Sequence, residues 1–258
     1  MTSIQQARQD APARAARSEG RPPRRFGEAL AALDSVQKPG AGFPAYTRWV
    51  NRRLARYAAA AAYRVGATPN QVTAASAAVS AVAIGLVAAA PATPLVAVTA
   101  AVLFALGYLL DSADGQVARL SRSGSPAGEW LDHVVDAIRT PAIHLAVFLG
   151  LMRQPSVSWW LRDVALLFCV VAVGQFMSQI LAEQLSGRVH RPVSGNGVVK
   201  SWLTLPTDTG VLCWIFLLWA APVLFAAVYA ALFLTNTLHA GSSMRRKYQH
   251  LTDRGTRS

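Results

Sequence analysis

The sequence predicts an all-α, polytopic membrane protein, with six transmembrane helices preceded by an amphipathic juxtamembrane helix. Three observations carry that prediction. Of 258 residues, 53% are hydrophobic and only 15% charged, whereas roughly a quarter are charged in an ordinary soluble domain. Beyond Thr68 the apolar residues fall into long runs, most of them near the ~20 residues that cross a ~30 Å hydrocarbon core. The 25 basic residues, set against 13 acidic ones, gather on one side of those runs. Disorder is excluded, because it needs low hydrophobicity and high charge density. A disulfide scaffold is excluded too, since Cys169 and Cys213 are the only cysteines.

Residues 1–45 read as a basic arm without regular structure, marked by Pro22, Pro23, Pro39 and several glycines. No apolar stretch follows its early arginines, so it does not read as a secretory signal. From Tyr46 to Val65 the apolar Trp49, Val50, Leu54 and Tyr57 alternate with Arg48, Arg52, Arg53 and Arg56. That pattern suits a helix lying at the headgroup surface with its arginines toward anionic lipid. A helix packed on the protein's own loops remains the alternative.

The membrane domain, 46–240, holds six predicted spans at 71–90, 94–113, 133–152, 159–182, 206–220 and 222–240. Ala90-Pro91-Ala92-Thr93-Pro94 makes a tight turn between the first two. The fifth is short and contains Asp208, and Pro222 marks its break from the sixth. Six spans leave both termini on one side. On that side fall the twelve basic residues up to Arg64, then Arg119, Arg122, Arg188, Arg191 and Lys200. The basic tail, 241–258, adds Arg245, Arg246, Lys247, Arg254 and Arg257, while only Arg153 and Arg162 oppose them. The positive-inside bias therefore predicts a multi-pass protein of the cell (inner) membrane, with both termini and the even-numbered connections cytoplasmic. The formal charge of +12 is then largely topological. A nucleic-acid partner is not expected, because the arm lacks interleaved aromatics and a mean hydropathy of +0.30 is unusual for a soluble binding module.

Five of the 13 acidic residues lie between positions 111 and 136. Intramembrane carboxylates cost several kcal/mol each, so a cluster of them marks a functional site. Asp111 and Asp114 are spaced i,i+3 and Asp132 and Asp136 i,i+4, so each pair shares a helical face. A loop from Gly115 to Leu131 is expected to reverse the chain and bring the two faces together. Four unpaired carboxylates would repel one another, and hard divalent cations such as Mg²⁺ or Mn²⁺ relieve that conflict through oxygen ligands.

The run Asp111-Ser-Ala-Asp114-Gly115-Gln-Val-Ala118-Arg119, with Gly128, Asp132 and Asp136 beyond it, fits D-x-x-D-G-x-x-A-R-x8-G-x-x-x-D-x-x-x-D at every fixed position. It resembles the CDP-alcohol phosphotransferase (phosphatidyltransferase) family. Thr68-Pro69-Asn70-Gln71-Val72-Thr73 is similar to the segment opening that family's first transmembrane helix. The resemblance implies transfer of a phospho-alcohol from CDP-diacylglycerol or another CDP-alcohol to an acceptor hydroxyl. CMP is released, and the setting is phospholipid biosynthesis. It further implies two Mg²⁺ or Mn²⁺ ions on Asp111, Asp114, Asp132 and Asp136, with Asp136 also the general base. Donor contacts are implied at Asn70, Gln71, Val72, Thr73, Gly115, Arg119 and Ser125, the last expected in the loop. Asn70 and Thr73 read equally as helix N-caps. Gly128 would permit close packing between the second and third spans.

Arg139, Arg188, Arg191 and Lys200 are candidates for binding a phosphorylated acceptor such as inositol phosphate or glycerol phosphate. The competing reading makes them ordinary positive-inside residues. Asp208 either pairs with a basic group or caps the fifth span, and His133 reads as packing. Homodimerisation is common in the family, although no residue pattern here derives it. The rival function is a divalent-cation or proton-coupled transporter that uses the same aspartates as its pathway.

Overall fold

Hydroxyl-bearing residues placed directly before proline start three of the five longest helices. In the computed structural model, which describes residues 25–35, 40, 42–185 and 197–255, Thr68, Thr93 and Ser125 are each followed by a proline at the first helical position. The side-chain oxygen accepts a backbone N–H of the first turn that has no partner within the helix, and proline lacks the N–H that could have none. At Thr68 the cap is reciprocal, since the Gln71 side chain returns a bond to the Thr68 amide at 2.9 Å.

The described residues form only helices. In chain order these are α1 (Phe26–Ser35), a π-helical turn (Thr47–Asn51), α2 (Arg52–Arg64), α3 (Pro69–Ala89), α4 (Pro94–Ser121), α5 (Pro126–Met152), α6 (Trp159–Leu185) and α7 (Gly197–Leu203). A 3₁₀ turn (Leu205–Thr207), α8 (Thr209–Ile215), a second 3₁₀ turn (Phe216–Leu218) and α9 (Pro222–Gly255) follow. Five helices, α3, α4, α5, α6 and α9, are long and apolar enough to cross a membrane. The chain is thus an all-α, multi-pass membrane protein.

The predicted fifth span differs from the others. Residues Thr209–Leu218 form one short apolar helix, about half the length a straight crossing needs. Its start is anchored where Asn236 Nδ2 donates to the Pro206 carbonyl at 3.3 Å. The segment therefore runs antiparallel to Pro222–Asn236 over about 21 Å.

The reversal between the second and third spans also differs. It is not a loop from Gly115 to Leu131: α4 continues to Ser121 and α5 begins at Pro126, which leaves Arg122–Ser125 to turn the chain. Arg122 adopts a left-handed conformation (φ 53°) as the C-cap. Leaving an apolar environment does not end a helix, and the stop lies at Arg122, Gly124 and Ser125-Pro126.

Two further expectations change. Within the arm, Phe26–Ser35 is helical because Ala29 and Leu33 bury against Ala55, Ala59 and Ala60 of α2. Asp34 also pairs with Arg56 at 2.7 Å. On the π-helical turn and α2 the arginines divide: Arg48, Arg52 and Arg56 are half-buried against the protein, while Arg53 and Arg64 are exposed. Arg48 donates to the Gly197 carbonyl at 2.9 Å, Arg52 lies over the Phe43 ring, and Leu54 and Tyr57 are exposed instead.

The core has two parts. Phe104, Phe168, Phe216, Trp219, Phe225 and Tyr229 fill the larger, while Val72, Ala113 and Val117 join α1 and α2 in the smaller. Small residues bring α3 and α4 together. Ser76 Oγ donates to the Gly107 carbonyl at 2.8 Å, and Ser80 Oγ occupies the place a Cβ on Gly107 would take. Gly107→Val is therefore expected to destabilise the protein by about 1–3 kcal/mol through overpacking. Thermal unfolding in detergent measures the loss, and an unchanged midpoint would contradict this packing.

Candidate functional site

The caps and the close α3–α4 contact place carboxylates from two helices at one point. Oxygens of Asp111, Asp114 and Asp132 lie within 4.8 Å of one another. Asp111 stands about 25 Å along α4 from Pro94, which puts the group near one end of a hydrocarbon-width span. Asp114 Oδ2 accepts from the Thr73 hydroxyl at 2.6 Å, and its Oδ1 accepts from the Gly115 amide at 2.5 Å. The spacing-based expectation that the two pairs converge is met for these three residues.

Asp136 stands apart from that set. Its carboxylate accepts from Arg139, whose guanidinium also donates to Asp111 Oδ1 at 2.6 Å and to Ser76 Oγ at 2.9 Å. Arg139 thus ties α5 to both α3 and α4, and it is engaged by carboxylates rather than held open for an acceptor phosphate. Asp111, Asp114 and Asp132 make an all-oxygen donor set that fits a hard divalent cation such as Mg²⁺ or Mn²⁺. A second ion would call on Asp136 as well, whose carboxylate, like that of Asp111, accepts from Arg139.

A pocket of about 450 Å³ opens beside the cluster. Asn70, Thr73, Gly115, Arg119 and Ser125 line it, together with Asp114 and Asp132. Ser125 reaches it as the N-cap of α5, where its hydroxyl accepts from the Gly128 amide at 3.1 Å. Two expected donor contacts are elsewhere. Gln71 is exposed and spent on its cap, and Val72 is buried in the smaller core. Gly128 does permit a close approach, but to α3: a Cβ there would stand 3.2 Å from Asn70 Oδ1.

Among the other expected acceptor residues, Lys200 is exposed on α7, outside the lining of the pockets described here. Arg188 and Arg191 lie outside the described residues. His133 packs edge-on against Phe176 with ring centroids 6.5 Å apart.

A buried network escaped the sequence reading. Asp208, 2% exposed, accepts from the Thr47 amide at 2.8 Å, the Thr47 hydroxyl at 2.7 Å and the Gly210 amide at 3.0 Å. The capping option for Asp208 therefore holds, and its distant partner is a threonine rather than a basic group. Thr47 Oγ1 also lies 2.6 Å from the Tyr108 hydroxyl, one helical turn before Asp111. Asn51 reinforces the joint by donating to Ser112 Oγ at 2.6 Å. The only signal in the sequence was an aspartate set among apolar residues, and it named no partner.

A family model described as CDP-alcohol phosphatidyltransferase matches residues 66–238, which include all four aspartates and both segments lining the larger pocket. No curated protein matches the chain.

Replacing Asp208 with Ala removes the carboxylate that accepts from the buried amides of Thr47 and Gly210. The expected cost is about 1–3 kcal/mol, read as a lower unfolding midpoint in detergent. Asp208→Asn, which keeps a carbonyl oxygen, should lose less. Equal stability of Asp208→Ala and the parent protein would contradict the network.

Proposed function

The chain belongs to the CDP-alcohol phosphatidyltransferase family, and from that premise we propose that it moves a phospho-alcohol group, the phosphatidyl group of CDP-diacylglycerol, to an acceptor hydroxyl in phospholipid biosynthesis. The observation that carries the reading is the convergence of Asp111, Asp114 and Asp132 beside a pocket lined by Asn70, Thr73, Gly115, Arg119 and Ser125.

The donor's nucleotide and pyrophosphate occupy that pocket. Arg119 pairs with phosphate, and Gly115 lets it approach the helix. Asp111, Asp114 and Asp132 would hold a divalent cation, Mg²⁺ or Mn²⁺, which would supply charge neutralisation at the phosphoryl oxygens. The acceptor oxygen attacks the phosphorus of the transferred group, the bond from that phosphorus to the oxygen of CMP breaks, and CMP leaves. Asp136 takes the acceptor's hydroxyl proton, with Arg139 holding its carboxylate in place. The basic residues clustered toward the termini support a cytoplasmic site in the cell membrane. The transporter alternative calls for a site near the midplane on broken helices, whereas these carboxylates stand on continuous ones, Asp111 about 25 Å along α4 from its start.

Purified protein with Mg²⁺ is expected to release CMP from CDP-diacylglycerol, or from another CDP-alcohol, only when an acceptor is present. Asp136→Asn should lower the rate about a hundredfold or more, and chelation should abolish it until Mg²⁺ is restored. Unchanged turnover in both Asp111→Asn and Asp136→Asn would overturn the proposal.

A further inference from the structure

Between the juxtamembrane segment and α4 lies a cavity of about 330 Å³. Asp111, Ser112, Gln116 and Arg119 of α4 line one wall, and Phe43 and Arg52 line another. Arg119 also lines the larger pocket, and Asp111 belongs to the carboxylate group. This juxtamembrane cavity therefore adjoins the pocket proposed for the nucleotide at one residue and the carboxylates at another.

Arg52, the first residue of α2, is placed there from three directions. Asn51, just before it, donates to the Tyr108 carbonyl at 3.3 Å and to Ser112 Oγ at 2.6 Å. Gln116 Nε2 donates to the Arg52 carbonyl at 3.2 Å. Beneath the guanidinium lies the Phe43 ring, its centroid 4.6 Å away. Arg119 stands close enough for the two positive charges to act on each other, with Asp114 offsetting part of the repulsion. Two like charges held at one cavity raise its energy, and an anion between them lowers it. An arginine kept only to set topology needs no such placement, and Arg53, the next residue, is simply exposed.

A CDP-alcohol carries two phosphates. With the nucleotide in the larger pocket and the CMP phosphate at Arg119, the other phosphate lies toward Asp111, where the juxtamembrane cavity opens. We infer that Arg52 binds this second phosphate, the one transferred to the acceptor. Its planar fork donates to the non-bridging oxygens, so the group stays held while its bond to CMP breaks. The inference rests on the transferase reading above. It adds to that reading a residue from ahead of positions 66–238, the part of the chain that the family model matches.

The test is calorimetric titration of the detergent-purified full chain, in Mg²⁺, with CMP and with CDP, which differ by the second phosphate. Arg52→Gln is expected to weaken CDP about tenfold or more while CMP stays within about twofold. Phe43→Leu removes the ring but keeps the guanidinium, and should weaken CDP by about threefold, again sparing CMP. Arg53→Gln, a charge change on the exposed face of the same helix, should alter neither. CDP binding unchanged in both Arg52→Gln and Phe43→Leu would overturn the inference. So would equal losses of CDP and CMP, since a structural role for Arg52 affects both ligands alike. A parent protein that binds neither nucleotide would overturn the transferase reading and this inference with it.

Discussion

Carboxylates crowded at the end of a helical bundle repel one another, and much of the nearby architecture opposes that repulsion. At the 4.8 Å limit that separates the oxygens of Asp111, Asp114 and Asp132, two unit charges cost about 3 kcal/mol at an effective dielectric near 20. Part of the compensation is internal. Arg139 bridges Asp111 and Asp136, and Thr73 and the Gly115 amide satisfy Asp114. Those partners come from three helices, so the site stays assembled only while α3, α4 and α5 stay in register. Ser76 shows the dependence most directly, since one hydroxyl both receives Arg139 and donates to the Gly107 carbonyl.

Around this centre the fold separates two chemical environments. On one side Asn70, Arg119 and Ser125 line the pocket of about 450 Å³. On the other, Gln175, Gln179, Asn236 and the hydroxyls of Thr140 and Thr207 line a second cavity of about 330 Å³. Asp136 and Arg139 line the second cavity and Asp114 and Asp132 the first, so the aspartate motif lies between the two. The juxtamembrane turn is joined to the same helix, because Thr47 and Asn51 meet α4 at Tyr108 and Ser112 on either side of Asp111. Segments remote in sequence thereby set the position of one carboxylate.

Much of this was legible in the residues, and the physical reason differs from case to case. Apolar runs reveal membrane helices because length and hydropathy are local properties, and Thr-Pro and Ser-Pro pairs mark their starts for the same reason. Carboxylates at i,i+3 and i,i+4 reveal a shared face because helical geometry is fixed. The end of α4 at Ser121 was not legible, since apolar patterning ceases at the membrane boundary while the helix does not. Nor were the partners of Asp208 and Arg139, which are set by packing between distant segments. Gln71 and Val72 show the converse. They sit within a recognised motif, yet the helical turn points one to its cap and the other to the core.

A direct test of the account is cation binding itself, because the assembled carboxylates have to be matched by positive charge whatever the acceptor proves to be. Titration of the detergent-purified protein with Mn²⁺, followed by electron paramagnetic resonance, should show saturable binding that Mg²⁺ displaces and that Asp114→Asn greatly weakens. Binding that never saturates, or that is unchanged in Asp114→Asn, would contradict the claim that these aspartates form a divalent-cation site.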